Sequence, residues 1–103
     1  MDVIFQSHNA VISDRLRSRA ESIIQKLEPR TARAVRAIVR FEQDGPTRRV
    51  EIEMHSSRRR PLISNGYART YGPALAEAAH NLQAQLARSK RPRKARARPT
   101  RSP

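Results

Sequence analysis

The chain has 103 residues, enough for one domain with one modest core, and no cysteine, which excludes disulfide frameworks, thiolate metal sites and cysteine nucleophiles. Its 22 lysines and arginines against 9 acids give a formal charge of +13, which points to a polyanionic partner, nucleic acid or an acidic membrane, because such a bias otherwise opposes compaction. No long apolar run occurs, and the opening "MDVIFQSHNAV" carries an early acid in place of a basic segment followed by an apolar one, so neither a membrane span nor a signal peptide is expected and the expected location is the cytoplasm.

In chain order the pattern reads strand, helix, three strands, helix. "DVIFQ" at residues 2–6 is a short β-rich run. Ser13 can cap a helix with Asp14 in its first turn, and Leu16, Ala20, Ile23 and Leu27 recur at helical spacing up to Pro29. "AVRAIVRFE" at residues 34–42 sets Val35, Ala37, Val39 and Phe41 against Arg36, Ile38, Arg40 and Glu42, the alternation of a half-buried strand. "QDGP" at residues 43–46 is a turn, and after it Val50, Ile52 and Met54 alternate with Arg49, Glu51 and Glu53, so the two runs predict a hairpin. A fourth strand is expected near residues 60–67, and from Pro73 onward Leu75, Ala78, Ala79, Leu82 and Leu86 outline a second amphipathic helix.

Charge divides the chain. Residues 1–86 hold 14 basic and 9 acidic side chains, whereas residues 87–103, "ARSKRPRKARARPTRSP", hold 8 basic ones and no acid. That segment has no apolar residue larger than alanine and cannot bury enough surface to offset its ordering entropy. A folded domain over residues 1–90 and a basic tail over 91–103, disordered until bound, are expected.

On a helical wheel with 100° per residue and Leu16 toward the core, Arg15, Arg19, Ser22 and Lys26 share one flank without an acid, while Arg17 lies beside Glu21 and Glu28 on the other. Like charges one turn apart repel, so the first flank is either a solvated face or a stripe that meets phosphates. On the sheet, Arg36 and Arg40 can face Arg49, Glu51 and Glu53, and that face is read as structural. The loop "SRRRP" adds Arg58, Arg59 and Arg60, which can contact phosphates or simply mark an exposed turn, and the segment from residue 87 onward adds Arg88, Lys90, Arg91, Arg93 and Lys94 as cations able to follow a nucleic-acid backbone.

The β-α-β-β-β-α order, with "HNAVISDRLRSRAESIIQKLE" at the start and "YGPALAEAAHNLQAQLARSK" closing the body, resembles the ribosome hibernation-promoting factor and ribosome-associated inhibitor family, also called sigma-54 modulation proteins. Asn9, Ile12, Ser13, Leu16, Arg17, Lys26, Leu27 and Glu28 match in register, and Tyr71, Leu82, Gln85, Leu86 and Lys90 match more loosely. The resemblance implies an α+β two-layer fold, both helices on one face of a four-stranded sheet, similar to double-stranded-RNA-binding domains. It implies binding to the small ribosomal subunit and its rRNA near the mRNA and tRNA channel, blocking translation and protecting idle ribosomes, as the short forms of the family do, and a monomer is expected off the ribosome. It also assigns rRNA contact to Arg17 and Lys26. Two family lysine positions are Ile23 and Asn81 here, and the polar face of the second helix, Glu77, Asn81 and Gln83, is nearly neutral.

Enzyme chemistry finds no support. His8, His55 and His80 fall on different elements without metal-ligand spacing, and three glycines, Gly45, Gly66 and Gly72, make no phosphate loop. Neither cofactor, metal nor small-molecule substrate is expected. Asp14, Glu21 and Glu28 read as solubility and helix-end charge, and Tyr67 and Tyr71, which can stack on bases, are read first as packing around the second helix start. A nonspecific nucleic-acid-binding or transcription-modulating protein acting through its tail would share the charge. Its sequence shows no helix-turn-helix pattern, and a membrane adaptor would carry bulky apolar residues beside the tail cations.

Overall fold

The computed structural model describes residues 1–31, 33–57 and 59–89, and within them the predicted element order is realised. Strand β1 (Asp2–His8) leads to helix α1 (Asp14–Leu27) and a short 3-10 turn (Glu28–Arg30), then to β2 (Ala34–Asp44), β3 (Thr47–Ser56), β4 (Leu62–Ala68) and helix α2 (Tyr71–Ser89). The strands form one sheet in the order β1-β2-β3-β4. The β1–β2 pair is parallel, since α1 returns the chain between them, and the other two pairs are antiparallel.

Local chemistry sets the element ends. The Ser13 hydroxyl accepts the Leu16 N–H at 3.1 Å and so satisfies one orphan donor of α1. Asp44 pairs with Thr47 across a two-residue turn whose first residue, Gly45, has φ +61°, a left-handed conformation in which glycine carries no steric penalty. Helix α2 begins at Tyr71, two residues before the expected Pro73, which fits inside the first turn where no N–H partner is needed.

One face of the sheet meets both helices. Ala37, Val39 and Phe41 of β2 and Val50, Ile52 and Met54 of β3 form a single buried cluster with Ala20, Ile24 and Leu27 of α1 and Ala74, Leu75, Ala78, Leu82 and Leu86 of α2. Two expectations need correction. Alternation puts Val35 on the core side, yet it is 47% exposed: Ala34 pairs with Ser56 and Arg36 with the adjacent His55, so Val35 is the extra residue of a bulge. In α1 the buried centre is Ile24, while Leu16 and Ile23 are only half-buried. The helix is turned slightly from the wheel's assumed direction, and those two side chains lie toward α2.

Helix α2 approaches β4 closely. A Cβ at Gly66 would collide with the Ala74 carbonyl and lie 2.5 Å from the Ala78 nitrogen, so a side chain there is excluded by backbone. The Ser64 hydroxyl donates to the Ala78 carbonyl at 2.8 Å. Three α2 side chains one turn apart then reach the outer edge of β4. Glu77 accepts the Tyr67 N–H at 2.7 Å, Asn81 donates to the Asn65 carbonyl at 2.9 Å, and Gln85 donates to the Ile63 carbonyl at 2.7 Å. Backbone groups that would otherwise template another strand are thereby occupied.

Candidate nucleic-acid interface

The arginines of the sheet and those of the helices sit in different electrostatic surroundings. On the outer sheet face, Arg40 donates through Nη1 to Glu51 and Glu53, each at 2.6 Å, and through Nε to Gln6 at 2.9 Å. Arg49 donates to Glu42 at 2.7 Å, Glu51 at 3.1 Å and the Asn65 side-chain oxygen at 3.1 Å, and His55 lies 2.7 Å from Glu53. The hydrogen bond from Arg40 is the main reason that the Glu53 carboxyl is held below the ordinary glutamate range, against a smaller opposing effect of burial. Cations already committed to carboxylates are poor phosphate ligands, so around Arg40 and Arg49 the sheet face is a structural lattice, whereas Arg36, expected to share it, lies opposite His55, is exposed and makes no ion pair among the described residues.

Arg15, Arg19 and Lys26 are exposed on α1 and make no ion pair among the described residues. They form one lip of a groove between the helices. Its first section, about 400 Å³, is floored by Val11, Leu16, Tyr71 and Gly72 beside Arg15 and Arg19. The second, about 240 Å³, is lined by Ile23, Leu27, Ala76 and Ala79 beside Lys26 and His80. Small residues on the near side of α2 keep the groove open, a signal present in the sequence at positions 72, 76 and 79. Tyr71 is held edge-on against Phe41, with ring centroids 5.5 Å apart and the Arg48 guanidinium 5.9 Å from its ring centre. Burial raises its phenol pKa, opposed by Arg48.

The remaining candidates are distributed differently. Arg17 leaves α1 on the side of β1, where its guanidinium lies 5.3 Å from the centre of the Phe5 ring, so the structure separates it from the Arg15–Arg19–Lys26 lip. Arg59, Arg60 and Arg88 are exposed, and because α2 runs back along β4, Arg88 ends toward the loop that carries Arg59 and Arg60. Arg58, Lys90, Arg91, Arg93 and Lys94, with the whole of the expected tail, lie outside the described residues. Glu77 and Asn81 serve the β4 edge together with Gln85, which accounts for the near-neutral polar face of α2, while Gln83 lines the groove. Tyr67 does not pack at the helix start: it is 55% exposed on the outer face of β4, because its strand position alternates with the buried Gly66.

Among the described residues no cluster of three histidine or acidic side chains could hold a metal ion, and no helix is long and apolar enough to cross a membrane. The family model described as sigma 54 modulation protein / S30EA ribosomal protein matches residues 3–94. Two of the solved structures that share the fold serve for comparison. A ribosomal subunit interface protein from Coxiella burnetii is 16% identical with a TM-score of 0.80, over 87% of this chain and 98% of that one. The N-terminal domain of Protein Y from Thermus thermophilus is 20% identical with a TM-score of 0.75, over 87% of this chain and 100% of that one. No curated protein sequence matches the chain.

Proposed function

Because the chain belongs to the sigma 54 modulation protein / S30EA ribosomal protein family, whose members are ribosome-associated factors and not enzymes, we propose that it is a hibernation factor of the cytoplasmic ribosome. It is a monomer off the ribosome, binds the small subunit near the mRNA and tRNA channel, blocks translation and protects idle ribosomes. The observation that carries this reading is the sorting of cations by face. Arg40 and Arg49 are neutralised by Glu42, Glu51 and Glu53, whereas Arg15, Arg19 and Lys26 line a groove with no acid beside them. Unpaired guanidinium and ammonium groups on a rigid helix offer the geometry that phosphates of structured RNA require, and each contact releases counterions.

The domain over residues 1–90 supplies the site, and Arg59, Arg60 and Arg88 extend it toward the basic segment 91–103, which adds affinity without sequence readout. Co-sedimentation with purified subunits at near-physiological salt tests the reading, comparing the intact chain, a version ending at Lys90, and the intact chain with Arg15, Arg19 and Lys26 changed to Glu. Selective pelleting with the small subunit, kept on truncation and lost on charge reversal, is expected. Equal pelleting with both subunits, lost only on truncation, would instead identify a general polyanion binder acting through its tail.

A further inference from the structure

The groove has a property that phosphate binding leaves unused, its apolar floor. Val11 is 95% exposed and contributes to no core, yet it lines the 400 Å³ section together with Leu16, Tyr71 and Gly72. That volume lies within the range of pockets that hold small ligands. Gly72 is informative in a second way. Its φ is not left-handed, but it precedes Pro73 inside the first turn of α2, where the proline ring crowds the Cβ of the residue before it, so glycine also relieves that helical position. A side chain would also change space: a Cβ at Gly72 would stand 3.4 Å from the Arg19 Nη1 atom, at ordinary contact distance, and a longer side chain there would occupy the groove beside that guanidinium.

We infer that this section of the groove receives a single unstacked nucleotide from a single-stranded RNA segment, its base on the Val11–Leu16–Tyr71 floor and its phosphate on Arg15 and Arg19. The inference rests on the RNA-binding reading above and specifies the state of the RNA. A paired base in a duplex has both faces stacked and offers the protein only sugar and phosphate, from which an apolar floor gains nothing. An extruded nucleotide has a flat apolar face next to an anion, which is what the groove complements. Charge favours the same occupant: the α2 lip supplies no acid, since Glu77 is turned to the Tyr67 N–H, so an acidic ligand meets cations on one side and small apolar residues on the other.

The test is a titration of the full-length chain followed by the methyl NMR signals of Val11 and Leu16. The probes are an RNA hairpin with one bulged adenine, the same hairpin without the bulge, and adenosine monophosphate. With the bulged hairpin both residues shift upfield in the ring current of the base, and affinity exceeds that for the paired hairpin by about tenfold, the effect of one stacked base. Gly72→Leu fills the groove without changing any charge, and with its denaturation midpoint and its affinity for the paired hairpin checked against the parent to show that the fold and the Arg19 contact persist, it removes the shifts and equalises the two affinities. Equal shifts with the paired hairpin, or a preference that survives in Gly72→Leu, overturns the inference. Saturation by adenosine monophosphate at the same concentrations also overturns it and assigns the groove to a free nucleotide. The titration contains no ribosome, so a bulge-blind result beside intact small-subunit pelleting removes this inference alone, and failed pelleting removes the ribosomal assignment alone.

Discussion

On the outer sheet face the guanidiniums of Arg40 and Arg49 each have two carboxylates within 3.1 Å; along α1, Arg15, Arg19 and Lys26 have none among the described residues. The same residue type therefore performs two tasks in one small domain. Strand pairing brings opposite charges into register at fixed spacing, so Arg40 and Arg49 spend their hydrogen bonds on the fold, while Arg36, opposite His55, does not. A helix flank without acids leaves them unspent, at the cost of repulsion between cations one turn apart. The contrast teaches that the position of a cation predicts its role better than the total charge of +13 does.

The strongest way to break this contrast is to reverse the groove charges. Changing Arg15, Arg19 and Lys26 together to Glu is expected to weaken small-subunit binding by about a hundredfold or more. Chemical denaturation should move by no more than about 1–2 kcal/mol, because all three side chains are exposed and only Lys26→Glu opposes the helix dipole. The converse variant is Arg40→Met, which leaves Glu51 and Glu53 facing each other without their shared donor. It should cost about 1–2 kcal/mol of stability in a denaturant midpoint and leave subunit affinity within about twofold.

A smaller effect separates the two sides of α2. Asn81→Ala removes the donor to the Asn65 carbonyl on the β4 edge and should cost about 0.5–1 kcal/mol in thermal unfolding, with binding unchanged. The smallest effect is in pH. Arg40 holds the Glu53 carboxyl below its unfolded value, so the stability this group contributes is fully present above the ordinary glutamate pKa and is lost as pH falls through the depressed folded value. Unfolding followed from neutral pH downward should show that decline in the parent chain and a shallower one in Arg40→Met.

Much of this was legible in the residues. Ser13 as a helix cap, the Gly45 turn, the alternating strands and the charged lattice of the sheet all follow from local rules, because each depends on neighbours in sequence or on one hairpin register. The misreadings share a different cause. Val35 departs from alternation because a bulge between Ala34 and Arg36 shifts it by one, and Ile24, not Ile23, is the buried centre of α1 because the roll of the helix follows from packing on the sheet and α2, not from its own periodicity alone. Glu77, Asn81 and Gln85 look like an ordinary polar stripe until the β4 edge is placed beside them. At the candidate site, Arg15, Arg19 and Lys26 were visible as one flank, but the groove was not, since Val11, Leu16 and Gly72 come together only when both helices pack on the same face. Arg17 shows the same limit, its partner being the Phe5 ring on β1.

The most direct test of the account is the salt dependence of small-subunit binding, measured as log affinity against log salt concentration for the parent chain, for Arg15, Arg19 and Lys26 changed together to Gln, and for Arg40→Gln. If the groove cations carry the phosphate contacts, the slope falls by roughly 2–3 units in the triple variant and is unchanged in Arg40→Gln. A slope that is unchanged in the triple variant, or that falls as steeply per residue in Arg40→Gln, contradicts the division of labour between the two faces.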